Sequence, residues 1–185
     1  MTSSLRVYLN GRMLDAAEAK ISPFDRGFLF GDGVYEGIRF FDGRGVGMRQ
    51  HIERLRRSLD AIRIGNFDAR SIEGITARVI DELGTGDAML YLQVTRGTEV
   101  PRRHAPGSGL TPTVFSFATP APSISELNEP LPRRISLQPD IRWKRCDIKS
   151  VNLLGNVLAL DEAVRQGFHE AVMVRDGHVS EGSMT

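Results

Sequence analysis

Residues 119 to 132 read TPAPSISELNEPLP, with four prolines in fourteen residues. Each proline fixes φ and lacks an N–H, so neither a helix interior nor a central strand runs through such a stretch. It divides the 185-residue chain into a first part, 1–118, and a second part, 133–185, and is read as an interdomain linker at 119–132. The second part has roughly 50 residues, near the size below which a domain needs help to hold a core. It reads as the start of a larger domain, expected to be incomplete at Thr185.

Hydrophobic periodicity and turn residues give the elements. Val7–Leu9 and Arg12–Leu14 flank Asn10-Gly11, the signature of a type I′ hairpin turn. A glycine-rich stretch, DRGFLFGDG at 25–33, leads into a strand over 34–41, a turn at Asp42-Gly43 and a return over 46–49. Gln50 to Ile64 has a helical stripe of Ile52, Leu55, Leu59 and Ile62, with Glu53, Arg56, Arg57 and Asp60 facing away. Ser71 is the expected N-cap of a second helix carrying Ile72, Ile75, Val79 and Leu83, ended by Gly84. Strands over 88–95 and 113–118 flank a polar loop at 96–109. The second part holds a strand at 133–138 and a helix at 151–166 striped by Leu153, Val157, Leu160 and Val164. A hairpin through Asp176-Gly177 follows. The fold class is α+β, in two domains.

Charge and cysteine content exclude several roles. The net charge is +1 with basic and acidic residues interleaved, so bulk electrostatics favour neither nucleic acid nor an anionic membrane. No apolar run approaches a bilayer span, and the first residues lack a signal-peptide core. The single cysteine, Cys146, points to a reducing cytoplasm. The four histidines are dispersed, so no metal site is expected.

Five places carry residues suited to chemistry. Lys149 in CDIKS lies at an element end, where a lysine can be held rigidly and partly desolvated. Glu181 lies in VSEGS, Arg54 in HIERL and Tyr35 in GDGVYEG. Arg102 and His104 stand two residues apart in a polar loop, a pairing suited to a carboxylate. Read singly, each is as well explained by an ordinary surface lysine, a turn acid, a solvated helix arginine, a strand aromatic or a flexible basic loop.

Together the motifs are similar to those of a family. CDIKSVNLLGNVLA, then EA, then RDGHVSEGS, with FGDGVYEGIR and HIERLRRS upstream, resemble the class IV (fold-type IV) pyridoxal-phosphate-dependent aminotransferases from about Val7 onward. The resemblance implies pyridoxal 5′-phosphate as cofactor and Lys149 as its Schiff-base lysine and proton shuttle. It implies Glu181 as the acid on the pyridine nitrogen, Arg54 as the phosphate-binding arginine and Tyr35 as a lining residue of the substrate pocket. The loop VTRGTEVPRRHAP resembles that of D-amino-acid aminotransferases, which assigns Arg102 and His104 to the substrate α-carboxylate. YEGIR is instead typical of branched-chain aminotransferases, with Arg39 near the substrate pocket. The expected reaction is transamination between a D-amino acid and a 2-oxo acid. A branched-chain L-amino-acid aminotransferase, an R-selective amine transaminase, an aminodeoxychorismate lyase and an inactive truncated fragment stay open as alternatives. The resemblance also implies a homodimer and a site between two domains.

Overall fold

The Asn10-Gly11 pair adopts the two positive φ angles, 48° and 92°, that a tight hairpin turn requires. It joins strands β1 (Arg6–Leu9) and β2 (Arg12–Asp15). The structure, a computed structural model, describes residues 5–127 and 132–184. A short helix α1 (Arg26–Phe30) forms inside the glycine-rich stretch, capped by the Asp25 side chain on the Gly27 amide. Strand β3 (Gly33–Phe41) follows and turns through Asp42-Gly43 into the two-residue β4 (Arg44–Gly45). Helices α2 (Met48–Ala61) and α3 (Ile72–Leu83) come next, then β5 (Ala88–Thr95) and β6 (Thr113–Pro120). The six strands make one antiparallel sheet in the order β2-β1-β6-β5-β3-β4.

Alternation along the strands sorts the two faces of this sheet. Val34, Glu36, Ile38 and Phe40 of β3, with Leu90, Leu92 and Val94 of β5, are buried. The apolar ones pack with Leu55 and Leu59 of α2 and Ile72, Ile75, Val79 and Ile80 of α3 in one core. On the other face, register aligns Tyr35 with Gln93 and Gln93 with Phe115. Tyr91 stacks there on Tyr35 and contacts Phe117.

The second sheet places β8 (Glu170–Arg175) between β7 (Ile135–Pro139), parallel to it, and β9 (His178–Gly182), antiparallel. Helix α4 (Leu154–Arg165) provides the crossover from β7 to β8, since parallel neighbours need a long connection. In β9, Val179 pairs with Val174 but Glu181 with Met173, so Ser180 is an extra residue in a bulge.

Two expectations are corrected. Ser71 makes no side-chain cap on α3; its hydroxyl donates to the Asp68 carbonyl, because a 3₁₀ turn at Ala69–Ser71 precedes the helix and is capped by Asp68. The buried face of α4 is Ala159 and Ala163, not the stripe of Val157 and Val164, which are 57% exposed each. Small alanines let the helix approach Ala171 and Met173 closely, and that contact sets its rotation. The chain clusters into two compact units, residues 1–127 with 147–151 and residues 128–146 with 152–185. The lysine segment therefore clusters with the first sheet. Hydrogen bonds explain this: Tyr35 N donates to Lys149 O at 3.0 Å and Val151 N to Gly33 O at 3.1 Å. The proline stretch contributes its first residues to β6 and a capped turn at Ile124–Glu126. Residues 128–131 of the expected linker lie outside the described ones.

The alternation predicts unequal costs at adjacent positions of β5. Leu90 is fully buried and Met89 is 46% exposed. Leu90→Ala is expected to destabilise by about 2–5 kcal/mol and Met89→Ala by less than about 1 kcal/mol. Urea unfolding measures both, and equal losses would reverse the face assignment.

Candidate active site

Lys149 is placed by its backbone before its side chain acts. Its carbonyl accepts from Tyr35 N, and its own N–H donates to Ser58 Oγ of α2 at 3.2 Å. The neighbouring Ile148 and Ser150 are buried. From this fixed stem the amine reaches Tyr35. Nζ donates to Tyr35 Oη at 3.1 Å and lies 4.2 Å from the ring centroid, a cation–π distance. Among the described residues Lys149 has no carboxylate partner. Tyr35 stacks on Tyr91 with centroids 5.5 Å apart. Burial, and secondarily Tyr35, push the Tyr91 phenol up to about 12, and its hydroxyl donates to Gln93 Oε1 at 2.8 Å. Tyr91 therefore stays neutral beneath Tyr35.

Arg54 stands one helical turn before Ser58, on the same face of α2. Its Nε and Nη2 donate to Glu36 at 2.9 and 2.6 Å, a bidentate pair, and His51 Nδ1 is 2.7 Å from the same carboxylate. Glu36 is fully buried. Burial by itself raises its carboxyl, but the hydrogen bonds from Arg54 and His51 outweigh it and hold the group below the ordinary glutamate value.

Arg102 and His104 converge on Phe30. The Arg102 guanidinium carbon is 4.3 Å from that ring's centroid, and the His104 ring is tilted on it at 5.5 Å. Arg39 stands four residues after Tyr35, hence on the same face of β3. Its Nη2 donates to the Pro122 carbonyl and its guanidinium covers Phe41 at 4.2 Å. Its Nη1 is buried with no hydrogen-bond partner among the described residues.

Glu181 belongs to the second unit. The bulge sets it opposite Met173, with its carboxylate bonded to Arg142 Nη1. Arg142 is oriented in turn by a bidentate pair with Asp140, 3.0 Å at each nitrogen, and Asp140 also receives Arg175 and Ser180. These bonds, from Arg142 above all, hold the Asp140 carboxyl far below the usual range and raise Arg142, so both are ionised.

Residues 33–185 match the family described as amino-transferase class IV. The chain belongs to the class IV aminotransferases. It is 39% identical over 180 residues to D-alanine aminotransferase of Bacillus licheniformis, which is 97% of this chain and 63% of that protein. It thus spans less than two thirds, 63%, of the length of these curated relatives. Its structure is similar to the branched-chain aminotransferase of Thermoproteus uzoniensis solved with norvaline: TM-score 0.79 and 25% identity, over 97% of this chain and 63% of that one. An aminotransferase of Mycobacterium tuberculosis in its PLP-bound form shares the fold at TM-score 0.74 and 24% identity, over 96% and 65%. Class IV aminotransferases use pyridoxal phosphate. No helix among the described residues is long and apolar enough to cross a membrane.

In this class IV chain the residues that sequence reasoning missed are the partners of the candidates: Glu36, His51, Ser58 and, beneath the polar loop, Arg26, Asp32, Arg96 and Glu99. Two signals were available. Glu36 interrupts the apolar series Val34, Ile38, Phe40, and His51, Arg54 and Ser58 follow helical spacing i, i+3, i+7.

The Glu36 arrangement has a pH consequence. A carboxyl depressed in the folded state adds stability that is present above its unfolded pKa and is lost as pH falls through its folded one. Glu36→Gln is expected to cost about 1–3 kcal/mol at pH 7. The gap to wild type narrows below about pH 4.5 as Glu36 protonates. Urea titrations between pH 7 and 3 measure this, and a gap independent of pH would refute it.

Proposed function

We propose that this protein catalyses pyridoxal-phosphate-dependent transamination between a D-amino acid and a 2-oxo acid. The observation that carries the proposal is the Lys149 amine, held on a hydrogen-bonded backbone against the Tyr35 hydroxyl. A lysine meant only for solvation needs no such placement, and one meant for an ion pair needs a carboxylate.

The residues fit the cofactor's three demands. An aldehyde needs an amine without a carboxylate partner, and among the described residues Lys149 has none. A phosphate needs a guanidinium, and Arg54 is oriented by Glu36. A protonated pyridine nitrogen needs a carboxylate, and Glu181 is fixed by Arg142. The bound cofactor supplies an electron sink for the pair left at the substrate Cα. Lys149 Nζ would take the proton from the substrate Cα, and Tyr35 Oη orients that amine. Arg102 and His104, set on one aromatic ring, hold the substrate α-carboxylate. The D-alanine aminotransferase likeness supports the D-specific choice. A cytoplasmic homodimer is part of the proposal, on the single exposed Cys146 and the family resemblance.

One observation favours a second reading. Arg39 Nη1 is a buried donor without a partner among the described residues, on the face that carries Tyr35, and a branched-chain L-amino-acid aminotransferase would use it near the substrate.

Borohydride treatment of the pyridoxal-phosphate-loaded protein is expected to fix the cofactor on Lys149, located by peptide mass spectrometry. Lys149→Ala is expected to abolish that adduct and lower turnover by at least about 10³-fold. An unchanged spectrum in Lys149→Ala refutes the proposal. With 2-oxoglutarate as acceptor, D-alanine is the expected donor. Turnover of L-leucine but not D-alanine would establish the second reading instead.

A further inference from the structure

Arg26 is a buried cation, 3% exposed, and it lies outside every role assigned above. Four of its N–H groups have partners. Nε donates to Asp32 Oδ2 at 2.7 Å and Nη1 to Glu99 Oε2 at 2.7 Å. Nη1 also donates to the carbonyl of Arg103 at 2.6 Å, and Nη2 to that of His104 at 2.9 Å. The last two matter most. Successive carbonyls belong to the planar peptides on either side of His104 Cα, so gripping both restricts the φ and ψ of His104 and the direction of its side chain.

The surrounding bonds make Arg26 the centre of a brace. Glu99 N donates to Phe24 O at 3.2 Å, and Glu99 Oε1 accepts from Gly107 N at 2.8 Å, which closes the loop 99–107. Asp32 is held from its other side by Arg96, through Nε at 2.8 Å and Nη2 at 2.9 Å. Arg96 also donates to the Ile62 and Arg63 carbonyls beyond the end of α2. The Arg26 guanidinium further lies 4.7 Å from the Phe30 centroid, the ring that receives Arg102 and His104. Burying an arginine and two carboxylates carries a large desolvation penalty. Here it fixes the backbone of a loop whose side chains at 101–109 are exposed.

We infer that Arg26 is the positioning residue of the carboxylate clamp: its grip on the Arg103 and His104 carbonyls sets Arg102 and His104 at the spacing that binds a substrate α-carboxylate. The inference rests on the proposed clamp role of Arg102 and His104. Glu99 and Asp32 serve it by fixing the guanidinium, and Arg26 itself touches neither substrate nor cofactor.

The test uses the pyridoxal-phosphate-loaded protein with D-alanine and a saturating 2-oxoglutarate acceptor, and, separately, acetate as a carboxylate probe followed by the His104 ring proton resonance. Arg26→Gln is expected to raise KM for D-alanine and Kd for acetate about tenfold each, with kcat within about twofold and cofactor affinity unchanged. Arg26→Lys, able to reach fewer of the four acceptors, is expected to fall between it and wild type. Glu99→Gln keeps an acceptor for Gly107 N and is expected to raise both constants about threefold. It and Arg26→Lys decide the matter if Arg26→Gln does not fold. Wild-type constants in these variants, or kcat and cofactor affinity falling in step with KM, would overturn the inference. Arg102→Ala separates the two claims. If it leaves acetate binding and KM unchanged, the clamp fails and the inference with it. If it weakens both while the Arg26 variants do not, only the anchor fails.

Discussion

Two backbone hydrogen bonds, Tyr35 N to Lys149 O and Val151 N to Gly33 O, hold the catalytic candidate in the first unit. They exist because β4 pairs with β3 only at Phe40 and Phe41, which leaves the first half of that edge open. A free edge of this kind is a ready template for another strand. Here residues of the same chain take it, with a bridge between Val34 and Ser150. The docking is stiff because β3 is itself pinned along its whole length by β5, from Gly33–Thr95 to Phe40–Ala88. Everything proposed for Lys149 inherits that rigidity.

The period of β3 then divides the labour. One face sends Glu36 among apolar neighbours, where an ionised carboxylate survives only if it is bonded, and Arg54 and His51 bond it. The opposite face presents Tyr35 and Arg39, two and six residues into the same strand. A single strand thereby orients the phosphate candidate through one face and the amine and substrate candidates through the other. A one-residue slip of β3 against β5 would exchange the two sets and bury a tyrosine and an arginine in the core.

Much of this was legible in the residues and some was not. Strand β5 was expected at its observed bounds, and the turns at Asn10-Gly11, Asp42-Gly43 and Asp176-Gly177 show the positive φ angles their sequences imply. Local chemistry decides such features, so local patterns reveal them. The face of α4 was misjudged because four large apolar residues make a better stripe than two alanines, while close approach to β8 selects the alanines. The placement of 147–151 with the first sheet was hidden because it depends on an open edge more than a hundred residues earlier. The site candidates came from motif likeness. Their partners were missed because a buried Glu36 or Arg26 looks, in a sequence, like any other surface charge.

The partners also explain which charges can do chemistry. Glu36, Asp32, Glu99 and Asp140 are each bonded to arginine, and these pairs fix geometry without offering a reactive group. Among the described residues, by contrast, the Lys149 amine has only a phenol, and Arg39 keeps one buried nitrogen without a partner. Placing the Lys149 amine against a hydroxyl is what sets it apart, since an ion-paired lysine would have to lose its partner before it could react.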